Sequence, residues 1–230
     1  MAATIAQNIQ DTQQRIARAC AAAGRPVQSV TLLVVSKTFP AEAVREAHGA
    51  GARRFGENYV QEGLDKIAAL ADLRAELEWH LIGPLQSNKT RPVAEAFDWV
   101  HSVDRLKTAQ RLSEQRPAEL PALNVCLQVN ISGEASKSGC TIEELAALAH
   151  AVAALPRLRL RGLMAVPEPA ADFATQRLPH RALADLQQQL IGQGLTLDTL
   201  SIGMSADLEA AIAEGASMVR VGSAIFGART

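Results

Sequence analysis

The chain has 230 residues, 48% of them hydrophobic, and a net charge of −1 at pH 7. This length suits one ordinary domain or one closed α/β barrel, and the apolar share builds a sizeable core, so disorder is excluded. Acids and bases are interspersed and aromatic residues make up only 3%, which leaves no basic footprint for nucleic acid and no stacking platform for bases. The cysteines Cys20, Cys126 and Cys140 are odd in number and far apart, so they are expected to be reduced cytosolic thiols. The histidines His48, His80, His101, His150 and His180 show no metal spacing. The start has no basic segment followed by an apolar one, and the longest apolar stretch, 145–155, is too short for a bilayer. The expectation is a soluble, cytoplasmic protein.

Residues 3–23 place Ile5, Ile9, Thr12, Ile16 and Ala19/Cys20 at helical spacing, and Gly24-Arg25-Pro26 stops that helix. A buried strand follows at 30–36, an unbroken run of leucine and β-branched residues. Pro40 suits the first turn of a helix over 41–48. A short strand at 53–56 leads through Glu57-Asn58 into a helix running to Arg74. The third strand is 78–82, followed by a helix over 88–96. Asp98–His101 is the fourth strand, and Ser102-Val103-Asp104 opens the next helix, with Asp104 near its positive end. The fifth strand is 123–129. A polar loop over 130–139 precedes a helix whose capping box is Thr141 with Glu144. Strand 158–164, helix 171–192, strand 199–201, helix 206–213 and strand 217–221 complete the pattern, with a short helical piece after Gly222-Ser223. Eight βα units at this length imply a closed parallel barrel. The competing open doubly wound sheet lacks support, because no Gly-x-Gly-x-x-Gly follows any strand. The fold class is therefore α/β: a single (β/α)8 TIM barrel with an extra N-terminal helix. The chain is taken as one domain, 1–230, with 1–24 as the helix packed on the barrel.

Lys37 ends the first strand, where α/β barrels place their ligands. A desolvated lysine there is a nucleophile toward carbonyls. Position alone leaves open a lysine that simply reaches water. The loops after strands seven and eight, 201–207 and 220–224, both combine glycine with serine before a helix. Glycine permits close backbone approach, and serine hydroxyls with free N–H groups bind an anion. The plain alternative is that Ser205 is a helix cap and Gly222 a turn residue. Ring closure sets these loops beside strand one, so lysine and phosphate site share one mouth. That pairing suggests pyridoxal 5′-phosphate (PLP).

Six blocks carry a resemblance: Val35-Ser-Lys37; Phe55-Gly-Glu-Asn58-Tyr59; Trp79-His80 through Lys89; Gly162-Leu-Met164; Ser201 through Ile212; and Val219-Arg220 through Gly227. They resemble the pyridoxal phosphate homeostasis proteins (the YggS/PROSC group), relatives of the alanine racemase N-terminal domain. The resemblance implies a barrel holding PLP as an internal aldimine on Lys37, for storage and delivery, without established turnover. It implies that Arg220 faces the pyridine nitrogen. Ser201, Gly203, Ser205, Gly222 and Ser223 match the phosphate loops, and Asn58 and Met164 match residues lining the ring. Ser223 stands where threonine is common, and both supply a hydroxyl. The implied partners are PLP and PLP-dependent apo-enzymes, with no nucleic acid and no membrane, and the chain is expected to be a monomer with no metal and no catalytic residue.

The physical chemistry agrees with a carrier. PLP is a strong electron sink when its ring nitrogen is protonated, which needs a carboxylate partner. Arginine only donates, so a nitrogen facing Arg220 must accept. The alternative is a fold-related PLP-dependent amino-acid racemase of weak activity, since the resemblance implies that alanine racemase also uses arginine at this position. Such an enzyme needs a second base, and the lone tyrosine is Tyr59, after the second strand. A PLP-free barrel using Lys37 on a phosphorylated sugar is a third class. His80 sits mid-strand and is expected to be a satisfied core histidine. Glu57 is expected to favour a helix start, and Lys89, Arg91 and the loop residue Lys137 to be solvated charges.

Overall fold

A computed structural model describes residues 3–227. The first two residues of the expected N-terminal helix region, and the last three of the chain, lie outside them. Helix α1 (Ile5–Ala22) is capped by Thr4, whose side chain accepts from the Gln7 N–H. Its buried stripe is Ile9, Thr12, Ile16, Ala19 and Cys20, close to the stripe read from the sequence.

Strands and helices then alternate: β1 (Thr31–Val35), α2 (Ala41–Gly49), β2 (Arg54–Glu57), α3 (Val60–Ala69), β3 (Glu78–Leu81), α4 (Thr90–Ala96), β4 (Trp99–Val103) and α5 (Leu106–Gln115). The second half continues with β5 (Leu123–Gln128), α6 (Ile142–Ala153), β6 (Leu158–Met164), α7 (Phe173–Gly192), β7 (Thr199–Ser201), α8 (Leu208–Ala213), β8 (Met218–Val221) and α9 (Ser223–Phe226). All eight strands pair in parallel in chain order, and β8 pairs with β1 to close the barrel. The capping box at Thr141 and Glu144 is present at the start of α6.

Several boundaries differ from the sequence reading, three of them instructively. Strand β4 runs on through Ser102 and Val103, and α5 begins only at Leu106 after an Arg105 cap. Ser102 and Val103 look like a helix start in sequence, but both are buried in the strand, where the register with β5 continues to Val103↔Leu127. The helix after β2 stops at Ala69 rather than Arg74, because buried Leu70 turns inward and a 3₁₀ turn, Ala71–Leu73, follows. Helix α8 begins at Leu208, after Asp207, rather than at Ala206.

Two apolar regions separate. A large cluster lies between strands and helices, with Phe55, Trp79, Leu81, Phe97 and Leu112 fully buried. A small one, Leu33, Trp99, Cys126, Met164 and Met218 with Ile82, fills the barrel interior. Each large side chain so buried contributes about 1.5–3 kcal/mol of hydrophobic stabilisation. Helix α1 docks on α8, α9 and α2. Polar ties fix it there: Asn8 Nδ2 donates to the Ile225 carbonyl at 2.8 Å, and Arg15 forms a two-pronged pair with Glu209.

Candidate cofactor site

Barrel closure sets the candidate residues on one rim. Leu33 lies opposite Arg220 and Val34 opposite Val221 across the β1–β8 seam. On the other side Val35 lies opposite Gly56, so continuing the register sets Asn58 beside Lys37. Lys37 is half-buried, two residues beyond the end of β1. A Cβ on Gly222 would stand 2.9 Å from the Val35 carbonyl oxygen, so only glycine lets the end of β8 pass this close to β1. Thr38 has φ 68°, a left-handed conformation that costs a β-branched residue about 1–2 kcal/mol.

Behind β1 and β2, on the helix side, lies a buried ionic cluster. Lys66 of α3 is 6% exposed. Its Nζ donates to the Ser36 carbonyl (2.6 Å), Glu57 Oε1 (2.8 Å) and Glu62 Oε1 (2.7 Å), which uses all three of its hydrogens. Glu57 therefore does not favour a helix start; it ends β2, fully buried. Burial pushes its carboxyl up from the ordinary range, while Lys66 and the Ser36 hydroxyl pull it back.

Inside the barrel runs a second polar construction. Arg220 Nη1 donates to the Ser201 carbonyl (2.5 Å) and hydroxyl (2.8 Å), and Nη2 donates to the Ala165 carbonyl (3.0 Å). Ser201 Oγ lies 2.8 Å from His101 Nδ1, His101 Nε2 lies 2.8 Å from His80 Nδ1, and His80 Nε2 lies 2.8 Å from Glu78 Oε1. Donor counting orients the chain. An ionised Glu78 only accepts, so His80 donates from Nε2 and accepts at Nδ1 from His101, which in turn accepts from the Ser201 hydroxyl. Burial holds both imidazoles neutral: it lowers the pKa of His80, and it lowers that of His101 well below the ordinary value, where a second charge beside His80 or Arg220 would be repelled. His80 is thus a satisfied core histidine. Burial also pulls the Arg220 guanidinium down to about 10, opposed by Asp207 and Cys126. No carboxylate pairs with Arg220 among the described residues.

The two glycine–serine loops meet at Arg220, whose backbone N–H donates to the Gly203 carbonyl at 2.9 Å. Gly203 has φ 94°, a conformation that favours glycine. Asp207 shapes the loop: Oδ1 accepts from the Met204 N–H and Oδ2 pairs with His180, both at 2.8 Å. Ser205 is half-buried and Ser223 exposed, and among the described residues neither hydroxyl has a protein partner. Ser201 differs, since its hydroxyl points down into the barrel. Met164 is buried and lies opposite Ser201 in the β6–β7 register. Asn58 is half-buried, and the β3–α4 connection passes so close that a Cβ on Gly83 would stand 2.1 Å from its carbonyl oxygen. Lys137 forms an ion pair with Glu168 rather than standing alone in solvent.

Sequence reasoning missed Glu62, Lys66 and His101. Glu62 and Lys66 stand four apart on one helix, which in sequence is an ordinary surface pair. Nothing local marks Lys66 as buried.

The chain matches the family model described as alanine racemase, N-terminal domain, over residues 3–230. The pyridoxal phosphate homeostasis protein of Pseudomonas aeruginosa is 67% identical over 226 residues, covering 98% of this chain and 96% of that one. The chain belongs to the pyridoxal phosphate homeostasis protein family. The family member of Escherichia coli K12 is 57% identical over 98% of this chain and 97% of its own. Among solved structures, PipY of Synechococcus elongatus with PLP bound is similar to this chain at a TM-score of 0.80 and 39% identity, covering 92% of this chain and 100% of PipY. No helix among the described residues is long and apolar enough to cross a membrane.

Proposed function

We propose that this chain binds PLP and serves its homeostasis, holding the cofactor for storage and delivery to PLP-dependent apo-enzymes. The observation that carries the reading is Arg220: a buried guanidinium with no carboxylate partner among the described residues, on the strand hydrogen-bonded to the one that delivers Lys37. The donor set suits PLP. When bound, PLP supplies an aldehyde for an amine and a pyridine ring that can draw electrons. Lys37 holds the aldehyde carbon, and Arg220 donates toward the ring nitrogen. Gly203, Ser205, Gly222 and Ser223 hold the phosphate through backbone N–H groups and two hydroxyls. Asn58 and Met164 line the ring. Ser201 belongs with Arg220 rather than with the phosphate, because its hydroxyl proton is committed to His101.

We take the chain as a holder of cofactor rather than an enzyme. Arg220 can only donate, so the ring nitrogen stays an acceptor and the electron sink stays weak. Tyr59, the lone tyrosine, is 57% exposed at the start of α3, outside the barrel mouth's buried groups.

Mixing the purified protein with PLP is expected to give a visible absorbance band that borohydride discharges, leaving label on Lys37. Lys37→Ala is expected to lose the band while its circular dichroism stays unchanged. Label on another lysine, or none, overturns the assignment. Proton exchange at the α-carbon of alanine, followed by NMR in deuterated water, separates the carrier from a racemase. The carrier reading expects exchange far below about 1 s⁻¹, the low end of ordinary enzyme turnover.

A further inference from the structure

Both peptide groups that bracket Lys37 end on charged side chains from the next βα unit. The Ser36 carbonyl, in the peptide before Lys37, accepts from Lys66 Nζ at 2.6 Å. The Thr38 N–H, in the peptide after it, donates to Glu62 Oε1 at 2.5 Å. The Ser36 hydroxyl donates to Glu57 Oε1. Lys66 then joins the two carboxyl groups to each other.

We propose that Glu57, Glu62 and Lys66 are positioning residues that set the backbone at Lys37 and so aim its amine. This rests on the reading of Lys37 as the cofactor lysine. Each peptide group is planar, so holding the two planes on either side of a Cα fixes its φ and ψ. With them it fixes the direction of the Cα–Cβ bond. The local sequence would not hold this turn unaided. Thr38 sits in the left-handed region, where a β-branched residue persists only when its surroundings over-determine it. The Glu62 bond falls on that residue. A surface helix pair would not need Lys66 buried or all three of its hydrogens engaged; a bracket does. The chemical return is reaction geometry, since misplacing a reacting group by about 1 Å costs up to about a hundredfold in rate.

The test compares Glu62→Ala with Glu62→Gln, because glutamine keeps an oxygen for Thr38 and Lys66 and alanine keeps none. Glu62 has a side chain only 27% exposed but lies at the helix edge, so both variants are expected to fold. Two rates are read: hydrogen exchange at the Thr38 amide in cofactor-free protein, and growth of the visible band on mixing with PLP. Glu62→Ala is expected to exchange about tenfold faster and capture PLP about tenfold more slowly, the scale of one lost charge-assisted hydrogen bond. Glu62→Gln is expected to stay close to wild type in both. Val152→Ala, a cavity variant under α6, is expected to lower the melting temperature and change neither rate. Wild-type rates in Glu62→Ala, equal slowing in Glu62→Gln, or equal slowing in Val152→Ala each overturn the bracket. A wild-type protein that captures no PLP overturns the cofactor reading instead. The exchange rate at Thr38 then still decides whether Glu62 holds that peptide.

Discussion

Lys66 and Arg220 are both buried basic residues, 6% and 4% exposed, and they are treated in opposite ways. Lys66 has a carboxyl group on either side and spends every hydrogen inside the protein. Among the described residues Arg220 donates only to neutral oxygens, two from Ser201 and one from Ala165. The first arrangement is finished; the second keeps a positive charge with no carboxylate in hydrogen-bond contact among the described residues, only the more distant pull of Asp207, and it keeps spare N–H groups. A buried cation without a counter-charge is costly, and folding alone gives no reason to keep it. On the proposed reading, the difference separates a group that holds the fold's geometry from one kept for a ligand.

Substituting each in turn is the severest test of that contrast. Lys66→Met is expected to destabilise the fold by about 3–5 kcal/mol in urea unfolding, because it strands the buried Glu57 carboxyl. Arg220→Met is expected to cost less in the same measurement and to lose PLP binding. If both variants unfold alike and bind alike, the contrast fails.

Acid sharpens it next. The native pKa values of His80 and His101 lie below the ordinary 6.5, so the unfolded chain takes up protons first as pH falls. Their contribution is complete above about 6.5 and is lost below it, at up to about 1.4 kcal/mol per pH unit for each histidine. Glu57 works the other way: its raised native pKa costs stability as pH rises above the ordinary carboxyl range. The His80→Gln, His101→Gln double variant is expected to show a flatter stability profile just below pH 6.5, measured by urea unfolding at each pH.

The smallest effects belong to single hydroxyls. Ser223→Ala is expected to weaken PLP by about 1.5 kcal/mol or more and pyridoxal very little. Ser201→Ala is expected to weaken both equally, because it releases Arg220 rather than a phosphate contact. Titration of each ligand by fluorescence checks the pair, and equal loss of both ligands in Ser223→Ala would remove that residue from the phosphate site.

The eight-strand order was legible because apolar runs such as β1 and β5 anchor a regular alternation of strand and helix punctuated by Gly, Pro or a cap. The overrun at β4 was not legible. Ser102 is polar and Asp104 follows two residues later, a pattern that reads as a helix start, and only the pairing of Val103 with Leu127 of β5 shows the strand running on. Lys37 and the two glycine–serine loops were visible because strand ends and helix starts are local. The Ser36–Glu57–Lys66 cluster was invisible for the opposite reason: burial of a lysine is decided by what packs over it. Ser201 shows the limit of motif matching. Its place in the motif says loop, while its hydroxyl answers to His101.

The β1–β8 seam has a consequence for biosynthesis. Lys37 leaves the ribosome long before Arg220, yet it lies just beyond β1, the strand paired with the β8 of Arg220, and α1 is tied to the Ile225 carbonyl. A nascent chain exposing Lys37 alone offers a reactive amine no ring-nitrogen donor and no phosphate loops. On the proposed reading, selective capture of the reactive aldehyde therefore begins only once β8 has joined β1 and the barrel has shut, which makes cofactor occupancy a report on folding of the whole barrel.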